Sequence, residues 1–201
     1  EEVDAQTREV VRLCEAAGSF ETRTASSAEE RALIWKGRKS AFAAVGRISP
    51  AYIVQDGVVP RTSLPEVLRR IAELSADSGI RVANVFHAGD GNLHPLVLFD
   101  DAEPGAAARA EEVSGAILDL CIEHGGSITG EHGVGVDKVC TMPRMYGPDD
   151  LETFDRFRRA FDPAGIANPD KLLPTPRLCG ERPGVRKDVH PLVASGKAEL
   201  F

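Results

Sequence analysis

Residues 80–100, IRVANVFHAGDGNLHPLVLFD, limit the folds open to this chain more than any other stretch. Two apolar runs, IRVANVFH and HPLVLFD, are joined by a short loop that contains Gly89, Asp90, Gly91 and Asn92. These residue types tolerate positive φ, so the pattern predicts a β-hairpin. His87 and His94 stand where the two strands leave the loop. The chain must therefore bury at least one face of an antiparallel sheet.

A second cluster, GGSITGEHGVG from Gly125 to Gly135, contains Glu131 and His132. The pattern predicts a short strand followed by a glycine-punctuated turn. Since Gly130 and the two later glycines carry no Cβ, we expect the backbone there to approach a ligand closely.

The remaining chain alternates amphipathic helices with short strands. Helices are predicted from Glu2 to Ala17, from a capping box at Ser27 to near Gly46, and from a capping box at Ser63 to Gly79. Strands are predicted at SFETRTA, residues 19–25, and at AYIVQD, residues 51–56.

Two further helices complete the pattern. One carries Val113 and Ile117 and stops at Gly125, and the other ends near Phe161, before the closing segment DPAGIANPDKLLP. Helices of this kind beside a hairpin predict an α+β sandwich, with helices on one face of a mostly antiparallel sheet.

Composition excludes several classes of function. The 201 residues carry 24 Lys and Arg against 31 Asp and Glu, with no basic stripe, so we expect no nucleic-acid partner. No apolar run approaches the ~20 residues that span a bilayer. The four cysteines lack C-x-x-C spacing, which excludes zinc-knuckle and iron–sulfur signatures and indicates a reduced, cytoplasmic chain. The chain has no initial Met and opens in a helical pattern, which predicts that it was cut from a longer one.

The two histidine clusters together offer a set of metal ligands. Neutral imidazoles and one carboxylate suit Zn²⁺ or Mn²⁺, and His87, His94 and Glu131 supply them. Neighbouring side chains in an extended segment diverge, so His132 is left for a separate role, such as a base beside the metal. The spacing of His87 and His94 is a weak pattern by itself, and half-exposed histidines beside a simple turn are the alternative. Neither glycine cluster lies between a strand and a helix as a dinucleotide or phosphate loop requires.

Three motifs in order, HAGDGNLHP, TGEHGVG and FDPAGIANPDKLLP, resemble the C-terminal substrate domain of FAD-linked oxidases of the vanillyl-alcohol oxidase superfamily. The similarity is to the branch that contains the flavoprotein of glycolate oxidase and D-lactate dehydrogenase. WKGRKSAFAAVGRISPAYIVQDGVVPR resembles the glycolate oxidase protein as well. The resemblance implies a ferredoxin-like sandwich over residues 1–174, truncated at its N-terminus, with a tail at 175–201. It also implies that FAD is held mainly by a separate N-terminal domain, absent here.

The resemblance also assigns roles to particular residues. It implies that His87, His94 and Glu131 hold a divalent metal at the substrate and that His132 is the base. Arg38 resembles an arginine that binds the substrate carboxylate, with an exposed helix arginine as the alternative, and Asn168 is implied to lie near the flavin.

Two positions depart from the family pattern. Relatives that act on dicarboxylates tend to have a polar residue two positions after the second histidine, where this chain has Leu96, which favours a substrate with a small or apolar side chain. Asp170 stands where the family usually has Gly in NPGK, a departure that bears on the local turn.

These features predict part of a flavin-dependent dehydrogenase or oxidase of D-2-hydroxy acids, in which the substrate's α-hydrogen leaves as hydride to FAD. Its expected partners are a small 2-hydroxy acid, the missing FAD domain and further oxidase subunits or an electron acceptor, which would hold it at the inner face of the membrane. A zinc hydrolase and a metal-stabilised interaction domain are the alternatives, although the chain has no H-E-x-x-H helix. Flavin content of the complete protein separates the first hypothesis from both alternatives.

Overall fold

A computed structural model describes residues 2–174 of the chain. The chain divides into two compact units, Glu1–Ile48 and Ser49–Phe201. The predicted tail at 175–201 lies outside the described residues.

The first unit is helical, with α1 at Glu2–Ala16, α2 at Ala28–Lys39 and α3 at Ala41–Val45. The helix predicted from Ser27 is therefore divided at Ser40. Its N-terminus is capped as predicted, because the Ser27 hydroxyl accepts a hydrogen bond from the backbone N–H of Glu30 at 3.2 Å. The strand predicted at 19–25 is wrong: this segment forms no strand, since extended backbone needs a partner strand that a sequence pattern cannot supply.

The second unit contains a small antiparallel sheet. Its strands are β1 at Ala51–Val54, β2 at Gly57–Val58, β3 at Val82–His87 and β4 at Asn92–Phe99. The hairpin of β3 and β4 forms as predicted, with Val82 opposite Val97 and His87 opposite Asn92. Along the other edge of β4, β1 and β2 follow one another, with Ala51 opposite Phe99 and Val58 opposite Asn92.

Proline explains why that edge is divided into two strands. The Gln55 backbone N–H donates to the carbonyl of Pro95 at 3.0 Å, but Pro95 has no N–H to return a bond. The ladder is interrupted at Gln55 and Asp56 and resumes at Gly57 in the same register. Asp56 therefore comes to lie opposite His94.

Two long helices, α4 at Leu64–Ser78 and α5 at Ala106–Glu123, pack on the sheet. The capping box predicted at Ser63 is wrong: Ser63 ends a 3-10 turn and its side chain caps nothing, while Glu66 pairs with Arg69. The main core joins apolar residues of both helices to those of the strands: Val59, Leu64, Val67, Ile71, Ile80, Leu93, Val97, Ala110, Val113, Ile117, Leu120 and Cys121.

Alternation along β4 separates two faces of the sheet. Leu93 and Val97 belong to the core with α4 and α5, so Asn92 and His94 point to the opposite face. Because paired residues share a face, Asp56 opposite His94 and His87 opposite Asn92 lie there too. The face without α4 and α5 thus collects the polar side chains.

The chain returns to this face after α5. The strand predicted before Glu131 is reduced to one bridge, in which Val58 and Ser127 exchange hydrogen bonds of 2.9 and 2.8 Å. A 3-10 turn at Val139–Thr141, α6 at Met142–Met145 and α7 at Pro148–Phe161 follow. An antiparallel sheet with helices on one face confirms the predicted α+β sandwich. Within residues 2–174, no helix combines the length and apolarity that a membrane crossing requires.

Candidate metal centre

The hairpin loop brings His87 and His94 together. Their ring centroids are 5.4 Å apart, with the ring planes at 88°. The turn closes through a 3.0 Å hydrogen bond from the Asp90 N–H to the His87 carbonyl. Gly91 has φ +73°, and a Cβ there would lie 2.0 Å from the carbonyl oxygen of Val59, so only glycine fits.

Asp56 fixes the glycine-rich turn from the other side. Its Oδ2 accepts hydrogen bonds from the backbone N–H groups of Gly130, Glu131 and His132, at 2.9, 3.0 and 2.8 Å, and from the Thr129 hydroxyl at 2.7 Å. Three consecutive backbone N–H groups thus converge on one carboxylate oxygen.

The same contacts determine the protonation state of Asp56, which is 0% exposed. Burial alone would raise the pKa of this carboxyl, but the hydrogen bonds from His132, Thr129, Glu131 and Gly130 outweigh burial and hold its pKa well below the usual range. The carboxylate is therefore a permanent buried anion, with the Lys138 Nζ at 3.6 Å as its counter-ion.

Glu131 lies between the two histidines. Its Oε1 is 3.8 Å from Nε2 of His87, and its Oε2 is 3.9 Å from Nε2 of His94. One atom from each residue forms a set lying within 4.8 Å. Around a tetrahedral Zn²⁺ with bonds of ~2.0 Å, ligand atoms lie roughly 3.3 Å apart, so small side-chain shifts would bring all three onto one ion.

The exposure and charge of these three side chains also suit a bound cation that keeps coordination positions open to solvent. The His94 side chain is 5% exposed, whereas those of His87 and Glu131 are 44% and 55% exposed. Burial lowers the pKa of His94, although Asp56 and Glu131 act against it. His94 is therefore neutral at neutral pH, which is the form that binds a metal.

His132 belongs to the same cluster. Its ring stacks on that of His94, with centroids 5.1 Å apart and planes 15° from parallel. One atom each of Asp56, His94 and His132 also lie within 4.8 Å of one another. These three residues are therefore a second possible set of metal ligands among the described residues. His132 itself is exposed and can reach a bound molecule.

The glycines of the turn serve its packing and its path. The backbone at Gly130 packs closely against the side chains of Val58 and Asn92. A Cβ at this position would lie 2.6 Å from Val58 and 2.9 Å from Asn92. Gly133 and Gly135 have φ of +80° and +57°. Their freedom serves the path of the turn around Asp56.

The two remaining predicted site residues, Arg38 and Asn168, lie on other elements of the chain. Arg38 is a partly buried residue of α2 and belongs to the first unit. Asn168 is exposed after α7, and its carbonyl accepts a 3.0 Å hydrogen bond from Arg158. Asp170 adopts φ +61°, a conformation that glycine adopts freely and Asp tolerates, which accounts for the family preference at this position.

The sequence interpretation missed two buried residues, Asp56 and Lys138. Lys138 is 5% exposed and donates to the Asp56 carbonyl at 3.4 Å, and burial lowers its pKa despite the nearby carboxylate. The available signal was an acidic residue immediately before Gly57 and two positions after the apolar strand β1. Nothing in the sequence indicated that this carboxylate would be enclosed.

An α+β domain with two histidines, a glutamate and a third histidine on one sheet face defines a candidate metal-dependent catalytic domain. Residues 1–172 match the family model of the C-terminal domain of FAD linked oxidases. The chain therefore belongs to this family.

Named relatives agree. The glycolate oxidase subunit GlcD of Escherichia coli K12 is 54% identical over 165 residues, which are 82% of this chain and 33% of the relative. GlcD of Bacillus subtilis is 32% identical, over 86% of this chain and 37% of the relative. The mitochondrial D-lactate dehydrogenase [cytochrome] of Arabidopsis thaliana is 30% identical, over 88% and 32%. The chain spans about a third of the length of these relatives.

Proposed function

We propose that this chain is the substrate- and metal-binding part of a flavin-dependent dehydrogenase or oxidase of D-2-hydroxy acids, of the glycolate or D-lactate type. The observation that carries the proposal is the convergence of His87, His94 and Glu131 within 4.8 Å in a chain of this family. The names of the relatives supply the substrate class.

The donor set supports a divalent metal, zinc or manganese. His87, His94 and Glu131 would hold it, and the exposure of His87 and Glu131 leaves room for substrate. When bound, such a cation would attract the carboxylate and α-hydroxyl of a 2-hydroxy acid and lower the pKa of that hydroxyl.

We assign the role of base to His132. Its ring lies against His94, so it would lie beside a hydroxyl held at the cluster and accept the hydroxyl proton. Arg38 would pair with the substrate carboxylate through its planar guanidinium; this assignment rests on the family resemblance.

Conversion of the hydroxy acid to the 2-oxo acid releases one proton and one hydride. His132 takes the proton, and FAD, when bound mainly by another domain of the complete protein, supplies the acceptor for the hydride. Asn168 is proposed to lie near the flavin, again by resemblance. Leu96 lies on the same sheet face as His94, where relatives that act on dicarboxylates tend to have a polar residue; this departure supports a small or apolar substrate side chain over a second carboxylate.

Further oxidase subunits or an electron acceptor would reoxidise the flavin. Two relatives support such partners by name, since one is a glycolate oxidase subunit and the other a D-lactate dehydrogenase [cytochrome]. We propose a cytoplasmic protein that these partners hold at the inner face of the membrane.

The test uses the protein encoded by the complete gene. We expect it to purify with FAD and to oxidise glycolate or D-lactate with an artificial electron acceptor. Removal of metal with EDTA should abolish turnover, and Zn²⁺ or Mn²⁺ should restore it. A flavin-free protein, or full turnover after EDTA treatment with no residual metal, would refute the proposal.

A further inference from the structure

Asp56 has no part in the proposed reaction, yet it is the most enclosed charged residue at the site. It is 0% exposed and lies at the interruption between β1 and β2, opposite His94. Its hydrogen-bond partners are 73 to 76 positions away along the chain. A buried carboxylate that joins distant segments needs a physical explanation, because an uncompensated charge in such a position is strongly destabilising.

The two oxygens of Asp56 have different surroundings. Oδ2 accepts from four donors of the turn and is fully used. Within residues 2–174, Oδ1 shares only the Glu131 N–H, at 3.2 Å, and it lies 3.9 Å from Nδ1 of His94. Among the described residues the buried Nδ1 atom has no hydrogen-bond partner, and Oδ1 is the carboxylate oxygen that it faces.

The two nitrogens of His94 therefore face two carboxylates. Nδ1 faces Asp56, and Nε2 faces Glu131 at 3.9 Å. Each carboxylate favours a proton on the nitrogen that it faces, but the Asp56 side chain is 0% exposed whereas that of Glu131 is 55% exposed. Solvent therefore screens Glu131 more strongly, and the tautomer with the proton on Nδ1 and the lone pair on Nε2 is favoured.

We propose that Asp56 is the positioning residue of this cluster. It selects the Nδ1–H tautomer of His94, so that Nε2 is free to bind a cation, and it holds the turn so that Glu131 and His132 flank His94. Lys138 supplies the buried counter-ion. The part of this inference that concerns the cation rests on the proposed function, whereas the tautomer and the turn do not.

Asp56 as a metal ligand, with His94 and His132, is the competing interpretation of the same atoms. Full burial argues against it, since a cation there would have no open side for a substrate. The four donors on Oδ2 occupy its lone pairs, so only Oδ1 is left for a cation.

Asp56→Asn tests the proposal with little change in shape. The amide oxygen would take the place of Oδ2, where four donors converge, so the amide NH₂ would face Nδ1 of His94. That donor favours the opposite tautomer, with the proton on Nε2, and so removes the metal-binding lone pair. Asp101→Asn is the matched control, because Asp101 is exposed.

Two measurements on the metal-free chain decide the outcome. Long-range ¹H–¹⁵N NMR correlations should report His94 as Nδ1–H in the wild type and as Nε2–H in Asp56→Asn. Calorimetric titration with Zn²⁺ should give a Kd about 10- to 100-fold higher for Asp56→Asn, while Asp101→Asn should match the wild type. An Nε2–H tautomer in the wild type overturns the proposal, even if the variant fails to fold. A folded Asp56→Asn that keeps the wild-type tautomer also overturns it.

The readouts separate this inference from the proposed function. If the wild type binds no cation but its His94 tautomer depends on Asp56, the proposed metal chemistry fails and the positioning role stands. If zinc binds equally well to wild type and Asp56→Asn, the metal centre stands and Asp56 has no positioning role in it.

Discussion

At the scale of single residues, adjacent side chains of the turn have different surroundings. Glu131 lies between His87 and His94, and His132 stacks on one ring face of His94. Both backbone N–H groups are bound to Asp56, so the turn fixes the starting points of both side chains. This geometry supports a ligand role for Glu131 and a separate role for His132.

Substitution should separate these two roles. In the complete protein, Glu131→Gln should lose metal and turnover together, because an amide is a poor replacement for an anionic ligand. His132→Ala should keep its metal and lose about 10²- to 10⁴-fold in kcat, the usual contribution of a general base. Metal analysis and steady-state kinetics on the same samples provide the check. Equal loss of metal in both variants would show that the roles are wrongly divided.

Some residues of the candidate site could be predicted from the sequence, and Asp56 could not. His87, His94 and Glu131 could be grouped as candidate metal ligands from the sequence, because each lies in a short motif whose residue types suit a cation. Asp56 could not, because its role depends on backbone N–H groups 74 to 76 positions away. Its carboxylate has no distinguishing pattern until the fold encloses it.

At the scale of elements, the sequence pattern predicted the long helices and the three longer strands, β1, β3 and β4, but not the shorter strand pairings. The apolar spacing of α4 and α5 is local, so their existence follows from the sequence. Residues 19–25 have strand-like composition but no partner, and β2, with its two residues, is too short to give a pattern. Strand pairing is a long-range property, as the division of one sheet edge opposite Pro95 illustrates.

Close packing of α5 on β2 gives a test of this architecture. A Cβ at Gly57 would lie 2.6 Å from Sγ of Cys121 but 3.6 Å from Cβ of Cys121. Burial raises the pKa of the Cys121 thiol to about 12, so this sulfur stays a neutral packing group. The Sγ atom of Cys121 is therefore the atom that would clash with a methyl group at position 57.

Gly57→Ala should therefore destabilise the chain by about 1–3 kcal/mol, as measured by urea denaturation. In the Cys121→Ala background the same substitution should cost much less, because the obstructing atom is gone. Gly115→Ala is the control: it lies within α5 with nothing near the new methyl group, and should be neutral or stabilising by up to about 1 kcal/mol. An additive double-mutant cycle would mean that α5 and β2 do not pack as described.

At the scale of the whole molecule, the chain carries groups that bind and move protons but none that accepts hydride. No amino-acid side chain does so, and the proposed acceptor is FAD held mainly by another domain. The chain alone should therefore fail to oxidise D-lactate or glycolate with an artificial acceptor, even when supplied with FAD and Zn²⁺ or Mn²⁺. Turnover above the buffer control, in a sample shown free of contaminating flavoenzyme, would mean that this division of labour is wrong.

The central claim is that His87, His94 and Glu131 hold one divalent cation, and anomalous diffraction at the zinc edge tests it most directly. Crystals of the chain soaked in Zn²⁺ should show a peak about 2.0–2.2 Å from an imidazole nitrogen of each histidine and from a carboxylate oxygen of Glu131. A peak beside Asp56 and His132 instead, or no peak at this cluster at a saturating Zn²⁺ concentration, would contradict the account.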